Sequence, residues 1–121
     1  MKNPNLSKEQ QKILFDKATE IPFSGALLNV HDDGEYVCAN CSTPLFHSDN
    51  KFESGSGWPS FDDAIEGAVV FSTDTELGMV RTEITCTNCG GHLGHMFEDG
   101  PRDTTGLRYC VNSLSLDFKK K

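Results

Sequence analysis

The chain has 121 residues, the length of one ordinary domain. Surface scaling for 13.3 kDa takes about 19,000 Å² of unfolded surface down to about 6,500 Å², enough for one modest core. Eighteen acids against eleven bases leave a net charge of -7, which excludes an electrostatic grip on phosphate backbones and with it nucleic-acid binding.

No apolar run approaches the ~20 residues of a membrane helix, and the mean hydropathy is -0.42. Met1-Lys2-Asn3-Pro4 leads into polar residues rather than an apolar signal segment. The expectation is a cytoplasmic protein without a membrane partner. There is no internal repeat, low-complexity tract or long linker, so 1–121 reads as a single domain with loose ends at about 1–5 and 119–121.

In chain order, the first predicted element is a helix over 7–19. Ser7 stands at the cap, Gln10 at the capping-box position, and Ile13, Leu14 and Ala18 supply an apolar stripe; Pro22 ends it. Segments 25–31 and 35–38 flank Asp32-Asp33-Gly34, a hairpin signal. A short apolar strand is predicted over 69–73. Segment 79–86 alternates, with Val80, Thr82, Ile84 and Cys86 on one face and Met79, Arg81, Glu83 and Thr85 on the other. Two closing strands are predicted over 108–112 and 114–118. The fold class is therefore mainly β, with one amino-terminal helix and short antiparallel strands.

Five cysteines without an export signal argue for metal binding, catalysis or both rather than a disulfide framework. Cys38-Ala39-Asn40-Cys41 and Cys86-Thr87-Asn88-Cys89 repeat one CxxC spacing, each after a strand. Two intervening residues let both thiolates converge on one ion, and four such sulfurs make a closed tetrahedral zinc site. Three other readings stand beside it. They are a redox pair, which lacks a surrounding βαβ pattern; a local set of Cys86, Cys89, His92 and His95; and four inert buried thiols.

Cys110 stands apart in Arg108-Tyr109-Cys110-Val111-Asn112. A lone strand cysteine is commonly just a small buried hydrophobe. The segment Gly90-Gly91-His92-Leu93-Gly94-His95-Met96-Phe97 adds glycines that permit close backbone approach and histidines suited to proton transfer near neutral pH. Ser54-Gly55-Ser56-Gly57-Trp58-Pro59-Ser60-Phe61 places the single tryptophan in a constrained loop, where it offers a rigid apolar wall.

Together with Pro22-Phe23-Ser24-Gly25, Lys51-Phe52 and Thr105-Gly106-Leu107, these ordered segments resemble the methionine sulfoxide reductase B family, peptide-methionine (R)-S-oxide reductases, over about 6–118. The resemblance implies two small antiparallel sheets packed as a β-tent. It implies Cys110 as nucleophile, with His92, His95 and Asn112 around the reacting sulfur and oxygen. Trp58 and Phe97 become the apolar walls, Asp99 and Arg108 supporting polar residues. Cys38, Cys41, Cys86 and Cys89 become ligands of a structural zinc ion, Zn2+. The implied reaction is repair of oxidised proteins bearing methionine R-sulfoxide, or of the free amino acid, through a Cys110 sulfenic acid.

Many family members carry a second, resolving cysteine two residues before the tryptophan; here that position is Ser56. An external thiol (thioredoxin, glutaredoxin or glutathione) is then the expected reductant, and the enzyme is expected to be a monomer. The rival class is a zinc-ribbon-like binding or chaperone module in which Cys110 is inert. A cysteine hydrolase is a further alternative, without a nucleophile elbow to support it.

Overall fold

The computed structural model describes residues 6–16, 18–28, 30, 32–75 and 80–120. Among them, no helix is long and apolar enough to cross a membrane. The accessible surface is 6919 Å², close to the value that size alone predicts.

Helix α1 spans Lys8–Asp16. Its capping box forms as expected: Gln10 N–H donates to Ser7 Oγ at 3.1 Å, and Ser7 N–H donates to Gln10 Oε1 at 2.9 Å. The helix stops short of the predicted end because Ala18 N–H bonds back to the Lys12 carbonyl at 3.0 Å, a wider closure than the α-helical ladder. The last predicted residues of the helix lie outside it, and residue 17 outside the described residues. Ile13 and Leu14 are buried.

Among the described residues, nine strands form two antiparallel sheets. The smaller one orders β2 (Pro44–His47), β1 (Gly34–Cys38) and β9 (Leu116–Lys120). The larger one orders β3 (Lys51–Phe52), β4 (Ser60–Phe61), β8 (Arg108–Val111), β7 (His92–Phe97), β6 (Arg81–Cys86) and β5 (Val69–Asp74). Aromatic side chains join the sheets. Phe46 of β2 stacks on Phe61 of β4 at 4.3 Å between centroids, and Tyr36 of β1 meets Phe61 edge-on at 5.0 Å. Such pairs add about 0.5–1.5 kcal/mol each beyond area burial.

The predicted 25–38 hairpin does not form. Residues 26–28 lie in turns, residues 29 and 31 lie outside the described residues, and β1 pairs instead with β2 and β9. Tyr36, Val37 and Cys38 are all buried, so β1 is a central strand that takes a neighbour on both edges, one of them from the far end of the chain. The carboxyl end also differs from expectation. Lys119 and Lys120 pair with Glu35 and Gly34 rather than fraying. Their side chains are exposed on an edge strand, where lysine is favoured without weakening the backbone ladder. Residues 1–5 and 121 lie outside the described residues.

Strands β5, β6 and β8 match their predictions to within two residues, residue 79 lying outside the described set. β7, by contrast, carries no alternation in its sequence. It is held by β6 and β8, and Gly94 lets it approach β8: a Cβ at 94 would lie 2.0 Å from the Cys110 carbonyl oxygen. Gly94→Ala is therefore expected to lose about 1–3 kcal/mol in urea unfolding.

Candidate active site and metal cluster

One row of register partners crosses the larger sheet. Ser60, Cys110, His95, Glu83 and Ser72 sit opposite one another on β4, β8, β7, β6 and β5 and so share one face. The opposite face carries Phe61, Tyr109 and Ile84 into the core. Strand alternation thus segregates a chemical face from a packing face.

A β-bulge adds His92 to the chemical face. Ile84 pairs with Gly94 and Thr85 with His92, so Leu93 is the extra residue. Leu93 goes fully into the core, and His92 turns toward Glu83, with Nδ1 2.7 Å from Oε2. Both groups are buried, 3% and 4% exposed at the side chain. The His92 and His95 rings stand edge-to-face at 5.5 Å.

Above this face lies a cavity of about 180 Å³ lined by Cys110, His95, Trp58, Phe97, Arg108 and Asn112, with Ser56, Thr19, Arg81 and Gly94 completing it. It is smaller than the ~300 Å³ of ordinary small-molecule clefts, a size suited to the end of one side chain. Trp58 is clamped by its indole N–H, which donates to the Glu20 carbonyl at 3.1 Å. Asn112 is clamped twice: its Nδ2 donates to the Leu93 carbonyl at 3.0 Å, and its Oδ1 accepts Glu20 N–H at 3.2 Å. The Glu20 side chain, itself buried, accepts Leu114 N–H at 3.0 Å.

Arg108 is held by a two-pronged pair with Asp99, at 2.8 and 3.2 Å, and lies 4.5 Å over the Phe97 ring. The Asp99 bond lifts the Arg108 pKa further above its ordinary value. Burial pushes the Cys110 thiol up, while the Arg108 charge and a hydrogen bond from Ser56 pull against it. Of the eight non-metal residues singled out from sequence, six line the cavity. His92 and Asp99 stand outside its lining, braced on Glu83 and Arg108.

Sequence reasoning missed Thr19, Glu20, Arg81 and Glu83. The alternation of β6 does assign Glu83 to the face opposite Ile84. Nothing local says that this face is covered.

The other four cysteines form a separate cluster. Cys38 and Cys86 end β1 and β6, and Cys41 and Cys89 lie in the turns that follow. The two turns are built alike: Ser42 N–H bonds to the Cys38 carbonyl and Gly90 N–H to the Cys86 carbonyl, both at 2.8 Å, and both residues have positive φ, 64° and 76°. Gly90 takes that conformation without cost, whereas Ser42 bears the left-handed strain. All four sulfurs lie within 4.8 Å of one another, with Cys38–Cys89 at 3.6 Å and Cys41–Cys86 at 3.5 Å. A tetrahedron with ~2.3 Å metal–sulfur bonds has edges of about 3.8 Å, so the donor set fits one tetrahedral ion. A hydrogen bond from Cys38 pulls Cys86 down to about 5, toward the thiolate a metal requires.

The SelR domain model matches residues 6–120. The chain belongs to the SelR family. A relative named peptide methionine sulfoxide reductase MsrB from Leptospira interrogans is 57% identical over 96% of this chain and 88% of its own length. Relatives of the same name from Thiobacillus denitrificans and Burkholderia lata are 55% and 50% identical, each over 96% of this chain and over 88% and 82% of their own lengths. As a SelR protein of this similarity, the chain is an oxidoreductase of the methionine sulfoxide reductase class. The crystal structure of the Mis18 'Yippee-like' domain shares the fold, with a TM-score of 0.55, 20% identity, and coverage of 74% of this chain and 97% of that one.

Proposed function

We propose that this single-domain SelR protein reduces methionine R-sulfoxide in oxidised proteins, and free methionine sulfoxide secondarily, through a sulfenic acid on Cys110. The observation carrying this is the pairing of Cys110 and His95 in register on the floor of a cavity walled by Trp58 and Phe97.

The thiolate, not the thiol, is the nucleophile, and His95 takes the Cys110 proton. The Cys110 sulfur attacks the sulfoxide sulfur while His95 returns that proton to the sulfoxide oxygen, a contribution of about 10²–10⁴ in rate. The hydroxyl then passes from the substrate sulfur to the Cys110 sulfur as the transient sulfur–sulfur bond opens, so methionine leaves and Cys110 keeps the oxygen as S–OH, oxidised by two electrons. Asn112 and Arg108 orient the oxygen. Trp58 and Phe97 receive the methyl group and reject charged ones. His92 acts through Glu83, bracing the floor beside His95.

None of the other four cysteines lines the cavity, and Ser56 occupies the position facing Cys110. The sulfenic acid therefore meets an external thiol: a first thiol displaces water to form a mixed disulfide, and a second releases Cys110. Thioredoxin, glutaredoxin and glutathione all supply that chemistry in the cytoplasm. The four clustered sulfurs hold a structural Zn2+, which links the end of β1 to the end of β6.

Thiol trapping after one equivalent of R-sulfoxide tests the recycling. Cys110 is expected to appear as a sulfenic-acid adduct with no disulfide; an internal disulfide containing Cys110 would overturn both this scheme and the zinc assignment. Ser56→Cys is the positive control, since it places a thiol against Cys110.

A further inference from the structure

Three serine hydroxyls form a line that ends at Cys110. Ser54 Oγ lies 2.8 Å from Ser56 Oγ and 2.7 Å from Ser60 Oγ, and it accepts Ser56 N–H at 3.2 Å. Ser60 Oγ reaches the Trp58 carbonyl at 3.1 Å. Ser60 is the register partner of Cys110, and Ser56 lines the cavity beside it.

A hydroxyl has one hydrogen and two lone pairs. The Ser56 amide occupies one lone pair of Ser54, so Ser54 accepts from one of its serine neighbours and donates to the other. Only two arrangements satisfy the line. In one, Ser56 donates to Ser54, Ser54 to Ser60 and Ser60 to the Trp58 carbonyl, leaving Ser56 with only lone pairs for Cys110. In the other, Ser60 gives up the Trp58 carbonyl and donates to Ser54, and Ser54 donates to Ser56, which frees the Ser56 hydrogen for the Cys110 sulfur.

We propose that Ser54 is a positioning residue for the reductase reaction: it sets the direction of the Ser56 hydroxyl and turns its hydrogen onto Cys110 when that sulfur is a thiolate. The proposal rests on Cys110 being the reacting thiol. The thiolate selects the second arrangement. The thiol and the sulfenic acid, each with a hydrogen to give, select the first. No proton changes owner; three hydroxyls rotate, and Ser54 is the residue through which both arrangements pass.

The charged and titratable groups around Cys110 come from every neighbouring element. They are His95 on β7, Arg108 on its own strand with Asp99 behind it, Arg81 on the cavity wall, and Glu20 ahead of β1. The serine line is the uncharged member of that set. It responds to the state of the sulfur without adding a fixed charge to the substrate cavity. A hydrogen bond to a charged acceptor is roughly twice as strong as a neutral one, so loss of this one is large enough to read.

The test is the pH dependence of Cys110 alkylation by iodoacetamide on the full, zinc-loaded chain, followed by mass spectrometry of the Cys110 peptide. Ser54→Val is expected to move the midpoint up by about one pH unit and slow alkylation about tenfold at pH 7. Ser54→Thr, of the same shape but with the hydroxyl kept, is expected to retain the parent profile, so folding effects cancel between the two. In a Ser56→Ala background, Ser54→Val is expected to change nothing further, because Ser54 acts through Ser56. Equal midpoints for Ser54→Val and Ser54→Thr overturn the proposal, as does an undiminished shift in the Ser56→Ala background. Turnover of R-sulfoxide by the parent protein is scored separately, so failure of the reductase reading and failure of the serine line give different results.

Discussion

Cys110→Ser is expected to abolish methionine R-sulfoxide reduction, with a rate loss on the order of 10⁵-fold, as when a nucleophile is removed from an enzyme whose groups act as a unit. The assay uses resolved sulfoxide epimers with dithiothreitol, and the parent protein is expected to consume the R epimer alone. Serine preserves the size of the side chain at a strand position between β4 and β7, so metal content and melting should match the parent. Equal rates in parent and variant would remove Cys110 from the reaction, and no turnover in either would favour a zinc-ribbon-like binding module. The pH dependence has a definite sign. Burial raises the Cys110 pKa, so the reactive thiolate is depleted as pH falls and the reductive half-reaction slows on the acid side. The Arg108 charge lowers that pKa, so Arg108→Met should move the rise in rate to higher pH.

Cys38→Ser is expected to cost most of the protein's stability. Apparent binding energies of structural zinc sites are about 10–16 kcal/mol, and that binding energy is folding energy. The net stability of a whole domain is only about 5–15 kcal/mol. Breaking one of four sulfur ligands thus acts on a quantity as large as the entire margin. The loss falls where the sheets meet: Cys38 ends β1 in the smaller sheet and Cys86 ends β6 in the larger, so an ion held by the four sulfurs would cross-link them. Metal content by elemental analysis and thermal unfolding by circular dichroism, with and without a chelator, make the measurement. Stoichiometric zinc and an unchanged melting curve in Cys38→Ser would refute the assignment.

The legibility of this chain in its sequence follows the range of the interactions involved. The capping box at Ser7 and Gln10 spans three residues, and it forms as read. Each CxxC spacing is likewise local, since two intervening residues fix the turn, and the sulfurs converge. Strands β6 and β8 announce themselves because each has one face in the core, and β5 through an apolar run of which only Val69 packs against it. β7 does not, because its one glycine, Gly94, serves close approach to β8 and its histidines serve the chemical face. The 25–38 hairpin failed for the opposite reason: a good local turn signal lost to a pairing between β1 and the carboxyl-terminal β9 that leaves all of β1 but Glu35 buried.

By itself, the sequence determined the class of fold and the separation of five cysteines into four plus one, and it named Cys110, His92, His95 and Trp58 as candidates for one site. It could do so because backbone alternation, turn spacing and side-chain chemistry are local properties. Only the tertiary structure decided which histidine meets Cys110, since that depends on a bulge that sends Leu93 inward and swings His92 to Glu83. It also decided that Glu20 clamps Trp58 and Asn112, and that Ser54, Ser56 and Ser60 line up toward Cys110. Those contacts join segments distant in the chain or fold a loop back on itself, and packing energy, not propensity, sets their geometry.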